Sequence, residues 1–507
     1  MFDDLLAGSL PETAILALIG SIGTGTSMVC TTFMANALKK GKKILFAAFD
    51  YDPMLSTKYF SSIGFDIRPY LYNGKLIMMD GSSLTYAKMG ISKTYEIDNL
   101  RGLTSEEIIH TFQKEVLDRY QIPPDEPVFY VMDSFTAFAP FIDIRSAYHL
   151  VTEICNSVKK QGSSALLVGH EGVLEGNLVT ALTRSVDGII RLRMQWRKAG
   201  LAREVFVEKQ PIATAPNTSG DYKITNSGIH VNAADGWSQD GYRSDPNCAT
   251  VTGQRQENLP FLEGRRFSTG VPELDSRLEG GFPTGAFICL KGDVGTGTST
   301  FCTQFAWSRL KTDGRVVYYC ADEDPNTVSR RFKNFGWHLE PYLESNRICL
   351  VDAFSFLTKE LGGLRDQPND IVTRRRLLAS FMRQRREEVR NIFGRTPLTV
   401  IVDSFTSLAP YLDLKSSYVL ARMNAISARQ RDEVYLAVVR SGVVEANLFY
   451  ACLGTSDGLI DLKNVWLRRT LFRRLRVEKM AFTSIPRQPL EYQITGEGIK
   501  LVSTEKS

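Results

Sequence analysis

Apolar positions along the chain fall into short continuous runs separated by stretches of helical spacing. Residues 14–18 form the first run and lead into a glycine-rich loop. A stretch with helical spacing follows from about 27 to 39. Further apolar runs occupy 43–49, 75–79, 128–132 and 165–168, and 104–119 has helical apolar spacing. Short unbroken apolar runs suit strands buried on both faces. Strands alternating with helices predict an α/β fold, a mostly parallel sheet covered by helices on both faces.

The order then runs a second time. DSFTAFAPFIDIRSAYHL starts at Asp133 and DSFTSLAPYLDLKSSYVL at Asp403, 270 residues apart. GVLEGNL at Gly172 and GVVEANL at Gly442 keep that spacing, as does VEK at Val207 and Val477. The loops GSIGTGTS (Gly20 to Ser27) and GDVGTGTS (Gly292 to Ser299) are 272 apart. Such a repeat fixes the architecture before any single motif does. It predicts tandem domains at 1–231 and 266–502, a Gly/Asp/Asn/Ser/Gln-rich linker at 232–265 and a tail at 503–507. The second half opens with TGVPELDSRLEGGFPTG from Thr269. The first opens part-way through that element and is expected to lack its lead-in strand.

A glycine loop between a strand and a helix can aim backbone N–H groups at phosphates, and the helix N-terminus adds positive potential. The usual pattern is GxxxxGK[ST]. Here the glycines stand (Gly20, Gly23, Gly25; Gly292, Gly295, Gly297), with Thr24 and Thr296 between them. The hydroxyls on the metal side stand too, as Ser27 and Ser299. The lysine position holds Thr26 and Thr298. Asp133 and Asp403, each ending an apolar strand, fit the aspartate that holds the metal or its water. The bland alternative is a pair of empty loops kept as tight turns.

TGVPELDSRLEGGFPTGAFICLKGDVGTGTS resembles the opening of KaiC-like ATPases of the RecA superfamily, and the resemblance extends over both halves apart from the linker. It implies two RecA-like domains, ATP or ADP with Mg²⁺ as ligands, and a hexameric ring or other homo-oligomer. It also implies an acidic pair after the strand that follows the loop helix, one member activating the attacking water. AFDYDP places Asp50 and Tyr51 there, and CADEDP places Asp322 and Glu323. The family's Lys-x-Arg element, which reaches a neighbouring subunit's γ-phosphate, keeps Lys209 and Lys479 but has Pro211 and Ala481 for its arginine. His170 and Arg440 fall where a γ-phosphate sensor stands in the family.

A missing cation at the developing charge is worth ~3 kcal/mol or more of transition-state stabilisation. The expectation is therefore a nucleotide-binding regulatory or signalling protein with weak or absent hydrolysis. The alternatives are a slow ATPase borrowing Lys209 or Lys479 from a neighbouring subunit, a DNA-binding recombinase relative, and a nucleotide-free scaffold. The basic stretches 374–390 and 468–476 motivate the DNA reading. They are better explained as an amphipathic helix and a β-hairpin at a subunit interface, so nucleic acid is not favoured. Net charge is only +5 on 507 residues, less than a dedicated nucleic-acid binder shows. The eight cysteines form no CxxC pair, and the five histidines have no metal-ligand spacing. No signal peptide or apolar run of ~18 residues is present, so a cytoplasmic protein with self-association and an unknown protein partner is expected. The resemblance also implies a phosphosite pair in the second domain after the strand-end aspartate, where Ser416 and Ser417 are adjacent; a plain helix N-terminus is the simpler reading.

Overall fold

The computed structural model describes residues 13–21, 23–49, 51, 53–81, 114, 126–137, 144–171, 176–197, 200–209, 219–225, 228–233, 265–361, 370–394, 396–412, 414–441, 454–467, 470–486 and 488–502. The first domain contains β1 (Ile15–Gly20), α1 (Thr26–Lys39), β2 (Lys43–Ala48), α2 (Pro53–Ser62), β3 (Leu76–Asp80), β4 (Val128–Asp133), α3 (Ile144–Lys160), β5 (Ser164–His170), α4 (Gly176–Ser185), β6 (Gly188–Arg197), β7 (Gly200–Lys209), β8 (Ser219–Thr225) and β9 (Gly228–Ala233). Its nine strands lie in the order β3-β2-β4-β5-β1-β6-β7-β8-β9. The pairs from β3 to β6 are parallel, and β6 to β9 form an antiparallel meander.

The second domain opens with the short pair β10 (Arg266–Phe267) and β11 (Phe282–Pro283). It continues through β12 (Ala286–Gly292), α5 (Thr298–Lys311), β13 (Val316–Cys320), α6 (Pro325–Asn334), β14 (Ile348–Asp352), α7 (Asp370–Phe393), β15 (Thr399–Asp403), α8 (Leu414–Arg431), β16 (Val434–Arg440), β17 (Gly458–Leu467), β18 (Thr470–Met480), β19 (Leu490–Thr495) and β20 (Gly498–Leu501). Its sheet repeats the first, in the order β14-β13-β15-β16-β12-β17-β18-β19-β20. These are two tandem RecA-like α/β domains.

Strand alternation builds a core on each face. Ile15, Ala17 and Ile19 of β1 face the cluster that holds Leu150, Val151 and Ile154 of α3. Leu16 and Leu18 face Val29, Cys30 and Phe33 of α1. In β12, Ile288 and Leu290 point toward Phe301 and Phe305 of α5, while Phe287 and Cys289 face Leu420 and Ala421 of α8. Both faces being covered explains why these strands read as unbroken apolar runs.

The structure shifts the expected boundaries by one or two residues: the first strand reaches Gly20, and the helix after it starts at Thr26. The stretch 374–390 lies inside α7, and 470–476, the described part of the second stretch, lies in β18, which pairs with β17. The helix expected over 104–119 lies outside the described residues, apart from Lys114. The expected lead-in difference and most of the linker fall outside them as well. Cys30, Cys155, Cys289, Cys302 and Cys320 are buried thiols in no disulfide, and Cys349 is half-buried. Ser416 and Ser417 sit in the first turn of α8 with both side chains buried. Among the described residues no helix is long and apolar enough to cross a membrane.

Candidate functional site

Each glycine loop leaves the carboxyl end of the strand that joins the parallel part of its sheet to the meander, β1 or β12. A crevice at strand carboxyl ends is where open α/β sheets take ligands. The two loops are built alike. Gly25 and Gly297 adopt left-handed φ of 85° and 90° just before the helix. A side chain there would also strike Ile224 or Ile494. The Thr24 and Thr296 hydroxyls donate to Ser21 O and Asp293 O, both at 2.7 Å. Tyr222 and Tyr492 donate to the Thr24 and Thr296 carbonyls, both at 2.5 Å. The glycines at their N-caps leave the first turns of α1 and α5 without a side-chain cap.

Thr26 and Thr298 fold back onto their own loops. Their methyl carbons lie 2.6 and 2.7 Å from where a Cβ would stand on Gly20 and Gly292. They fill space against the first glycine, where a lysine would extend across the loop.

The two metal corners differ. In the second domain Ser299 Oγ is 3.2 Å from Asp403 Oδ1, and the Tyr318 hydroxyl donates to Asp403 Oδ2 at 2.8 Å. Burial pushes the Asp403 carboxyl up; Tyr318 and Arg331 oppose that shift. Arg331 of α6 pairs with Glu323, and its Nη1 lies 3.9 Å from Asp403 Oδ2. Asp322 pairs with Arg440 and accepts from Ser404 at 2.9 Å and from Ser407. Both candidate acids of this site are therefore held by guanidinium groups.

The first domain replaces this ion pair with aromatics. Under the 272-residue offset, Glu323 corresponds to Tyr51 and Arg331 to Tyr59. The two tyrosine rings meet edge to face at 6.4 Å. Tyr51 donates to Asp133 Oδ2 at 2.5 Å, and Tyr59 is hydrogen-bonded to Ser27. Burial first, and then the Asp133 charge, drives the Tyr51 phenol far up, so it stays a protonated donor. Asp50 lies outside the described residues.

Lys209 and Lys479 are placed alike in the two domains. Each donates to a carbonyl of its own domain, Val186 O and Ser456 O respectively. At the γ-sensor positions the two backbones bond alike, the His170 N–H donating to Thr136 Oγ1 at 2.8 Å and the Arg440 N–H to Thr406 Oγ1 at 2.7 Å, and the Arg440 side chain is tied to Asp322. Sequence reasoning missed Arg331, Tyr59 and Tyr318. The signal for the first two was present in the paired change of Glu323/Arg331 to Tyr51/Tyr59 across the repeat.

Comparison with known proteins matches the ATPase family described as KaiC to residues 1–236 and again to 267–506. A UPF0273 protein of Pyrococcus horikoshii is 29% identical over 245 residues, 46% of this chain and 93% of the relative. A circadian clock protein of Synechocystis, named KaiC2, is 22% identical over 516 residues, covering 99% of this chain and 80% of its own. The circadian clock oscillator protein KaiC of Parathermosynechococcus lividus is 21% identical, covering 99% and 84%. Two matched regions, each carrying the same loop, strand order and strand-end aspartate, place the chain in the KaiC ATPase family, as two tandem RecA-like domains.

Proposed function

We infer that the second domain binds ATP or ADP with Mg²⁺ and hydrolyses it slowly or not at all, so that the chain works as a nucleotide-responsive regulator. The observation that carries this is the second metal corner. Ser299 and Asp403 stand within 3.2 Å of each other beside a loop whose amides are uncapped, while Asp322 and Glu323 are both held in ion pairs. A hydroxyl and a carboxylate are hard oxygen donors of the kind Mg²⁺ takes alongside substrate phosphates. Ser299 and Asp403 would hold the ion, which neutralises phosphate charge. Loop amides would orient the phosphates. A general base must reach the attacking water as a free carboxylate. Glu323 paired with Arg331 is a poor one. Binding to the folded state alone would then stabilise or shift conformation by linkage.

Calorimetric titration of the whole chain with Mg²⁺-ATP and Mg²⁺-ADP, alongside a phosphate-release assay, tests this. Binding with release close to background is expected. Thr298→Lys should tighten ATP about tenfold, ~1.4 kcal/mol, by restoring a cation. Absence of binding by the wild-type chain, with binding by Thr298→Lys, would mean that the loop is a relic.

A second reading, a slow ATPase with a displaced cation, is favoured by one observation. Arg331 and Arg440 bring two guanidinium groups to the acids of the second site. They would serve where Lys479, turned onto Ser456 O, does not. Arg331→Gln should then weaken ATP about tenfold and ADP much less. Equal loss for both nucleotides would assign Arg331 to holding Glu323 and nothing more.

A further inference from the structure

The two phosphate loops share an internal design but not their surroundings. Among the described residues, a Cβ on Gly295 of the second loop would meet only Asn464 Nδ2, at 3.9 Å. A Cβ on Gly23 of the first loop would stand 2.6 Å from the carbonyl oxygen of Glu478, which belongs to β18 of the second domain. Main chain from one domain rests on the loop of the other, at a spot that only glycine permits.

Two further contacts flank this one. The Phe482 ring lies 4.7 Å from that of Tyr59 and packs against the core cluster of the first domain. Phe482 holds a left-handed φ of 54°, a conformation bulky residues rarely adopt without tertiary support. Arg422 of α8 is 1% exposed and donates from Nη2 to Phe49 O at 2.7 Å, just past the end of β2. A buried arginine needs partners that offset its lost hydration. Here a first-domain carbonyl supplies one. The repeat provides an internal control. The position matching Arg422 in the first domain is Thr152, which is exposed. The contact therefore runs one way, from the second domain onto the loop face of the first. Aromatic and arginine anchors around a close backbone contact are what carry an interface.

We propose that the first phosphate loop is a socket for the second domain of the same chain, closed to nucleotide by Glu478, Phe482 and Arg422 from outside and by Tyr51 and Tyr59 from within. Tyr51 and Tyr59 hold Asp133 and Ser27, the two groups that would otherwise meet a metal ion. Phe482 covers Tyr59 and fixes that arrangement. Each chain then offers one nucleotide site, in its second domain. The joint does not depend on whether that second site binds.

Photo-crosslinking of the full chain tests the joint directly. The probe is p-benzoylphenylalanine in place of Phe482, in an equal mixture of ordinary and ¹⁵N-labelled chains. Crosslinks are expected to first-domain peptides around Tyr59, joining peptides of one isotope only. Light-to-heavy crosslinks alone would mean a second copy fills the socket, and no first-domain crosslink would mean there is no joint. Either result overturns the proposal. Hydrogen exchange gives a second readout. Arg422→Ala should speed exchange at 45–62 at least tenfold while β15 and β16 keep their protection. Unchanged exchange at 45–62 would count against it. So would more than one Mg²⁺-ATP bound per wild-type chain.

Discussion

Asp457→Ala should cost the second domain about 3–5 kcal/mol, and the matching change Asp187→Ala only ~1–2 kcal/mol. Both aspartates do the same job. Asp457 Oδ2 accepts from Phe287 N at 2.9 Å and Oδ1 from Arg429 at 2.6 Å; Asp187 accepts from Ile15 N at 2.9 Å and Lys159 at 2.7 Å. Each ties the start of the loop-bearing strand to the helix packed beside it. Burial sets them apart. The Arg429 and Asp457 side chains are 14% and 8% exposed, against 43% and 29% for Lys159 and Asp187. Truncation at 457 strands a buried guanidinium whose Nε and Nη1 already lack hydrogen bonds, and it orphans a strand amide. Truncation at 187 orphans a strand amide as well, but the ammonium it leaves is one that water can reach. Hydrogen exchange on β12 and β1, read together with urea unfolding, separates the two domains. Equal costs within ~0.5 kcal/mol would show that burial is not what sets the price of losing this aspartate.

Much of this architecture was legible because the sequence states it twice. Unbroken apolar runs meant strands covered on both faces, and the repeated DSFT and glycine-loop segments placed the strand-end aspartates and hydroxyls. Within the site, legibility fell wherever a side chain had more than one place to go. Lys209 and Lys479 read as residues that reach outward. Within each domain the ammonium donates to a carbonyl just ahead of the paired strand, Val186 O or Ser456 O, a contact that no motif announces. Thr26 and Thr298 read as weak substitutes for lysine, yet their methyls instead pack on Gly20 and Gly292.

The exchange of Glu323/Arg331 for Tyr51/Tyr59 is visible in the sequence. Neither Tyr59 nor Arg331 belongs to a motif, so only the spatial neighbourhood turns the four residues into two alternative closures of one corner. Arg422 carried no signal at all. One arginine in a helix looks like solvated charge, and this one makes its hydrogen bond between distant halves of the chain. Local pattern fixes elements and loop chemistry. Pairings across 373 residues of chain, such as Arg422 with Phe49, leave no periodic trace.

Glu433 supplies a test that separates electrostatics from packing. It follows α8 and precedes β16, with its side chain 3% exposed and Arg431 Nη1 4.0 Å away. It lines an apolar cavity with Tyr319, Phe381 and Tyr435, and its Oε2 has no hydrogen bond. Burial pushes its pKa up to about 7, against the pull of Arg431. The sign follows from which state keeps the proton. Below the ordinary value of 4.5 both folded and unfolded chains hold it, and the full contribution to stability is present. Between that value and about 7 the unfolded chain releases its proton while the folded chain keeps it, so stability falls as pH rises. A shift of this size corresponds to about 3 kcal/mol once the folded group is ionised. Urea unfolding of the second domain at pH 5 and pH 8 should therefore show wild type losing on the order of 2–3 kcal/mol more than Glu433→Gln across that interval. The glutamine cannot ionise, and it fills the same volume, so packing stays constant while the charge is removed. If both chains lose stability in parallel, Arg431 and Arg386 compensate the buried carboxylate fully, and Glu433 is an ordinary ion-pair partner.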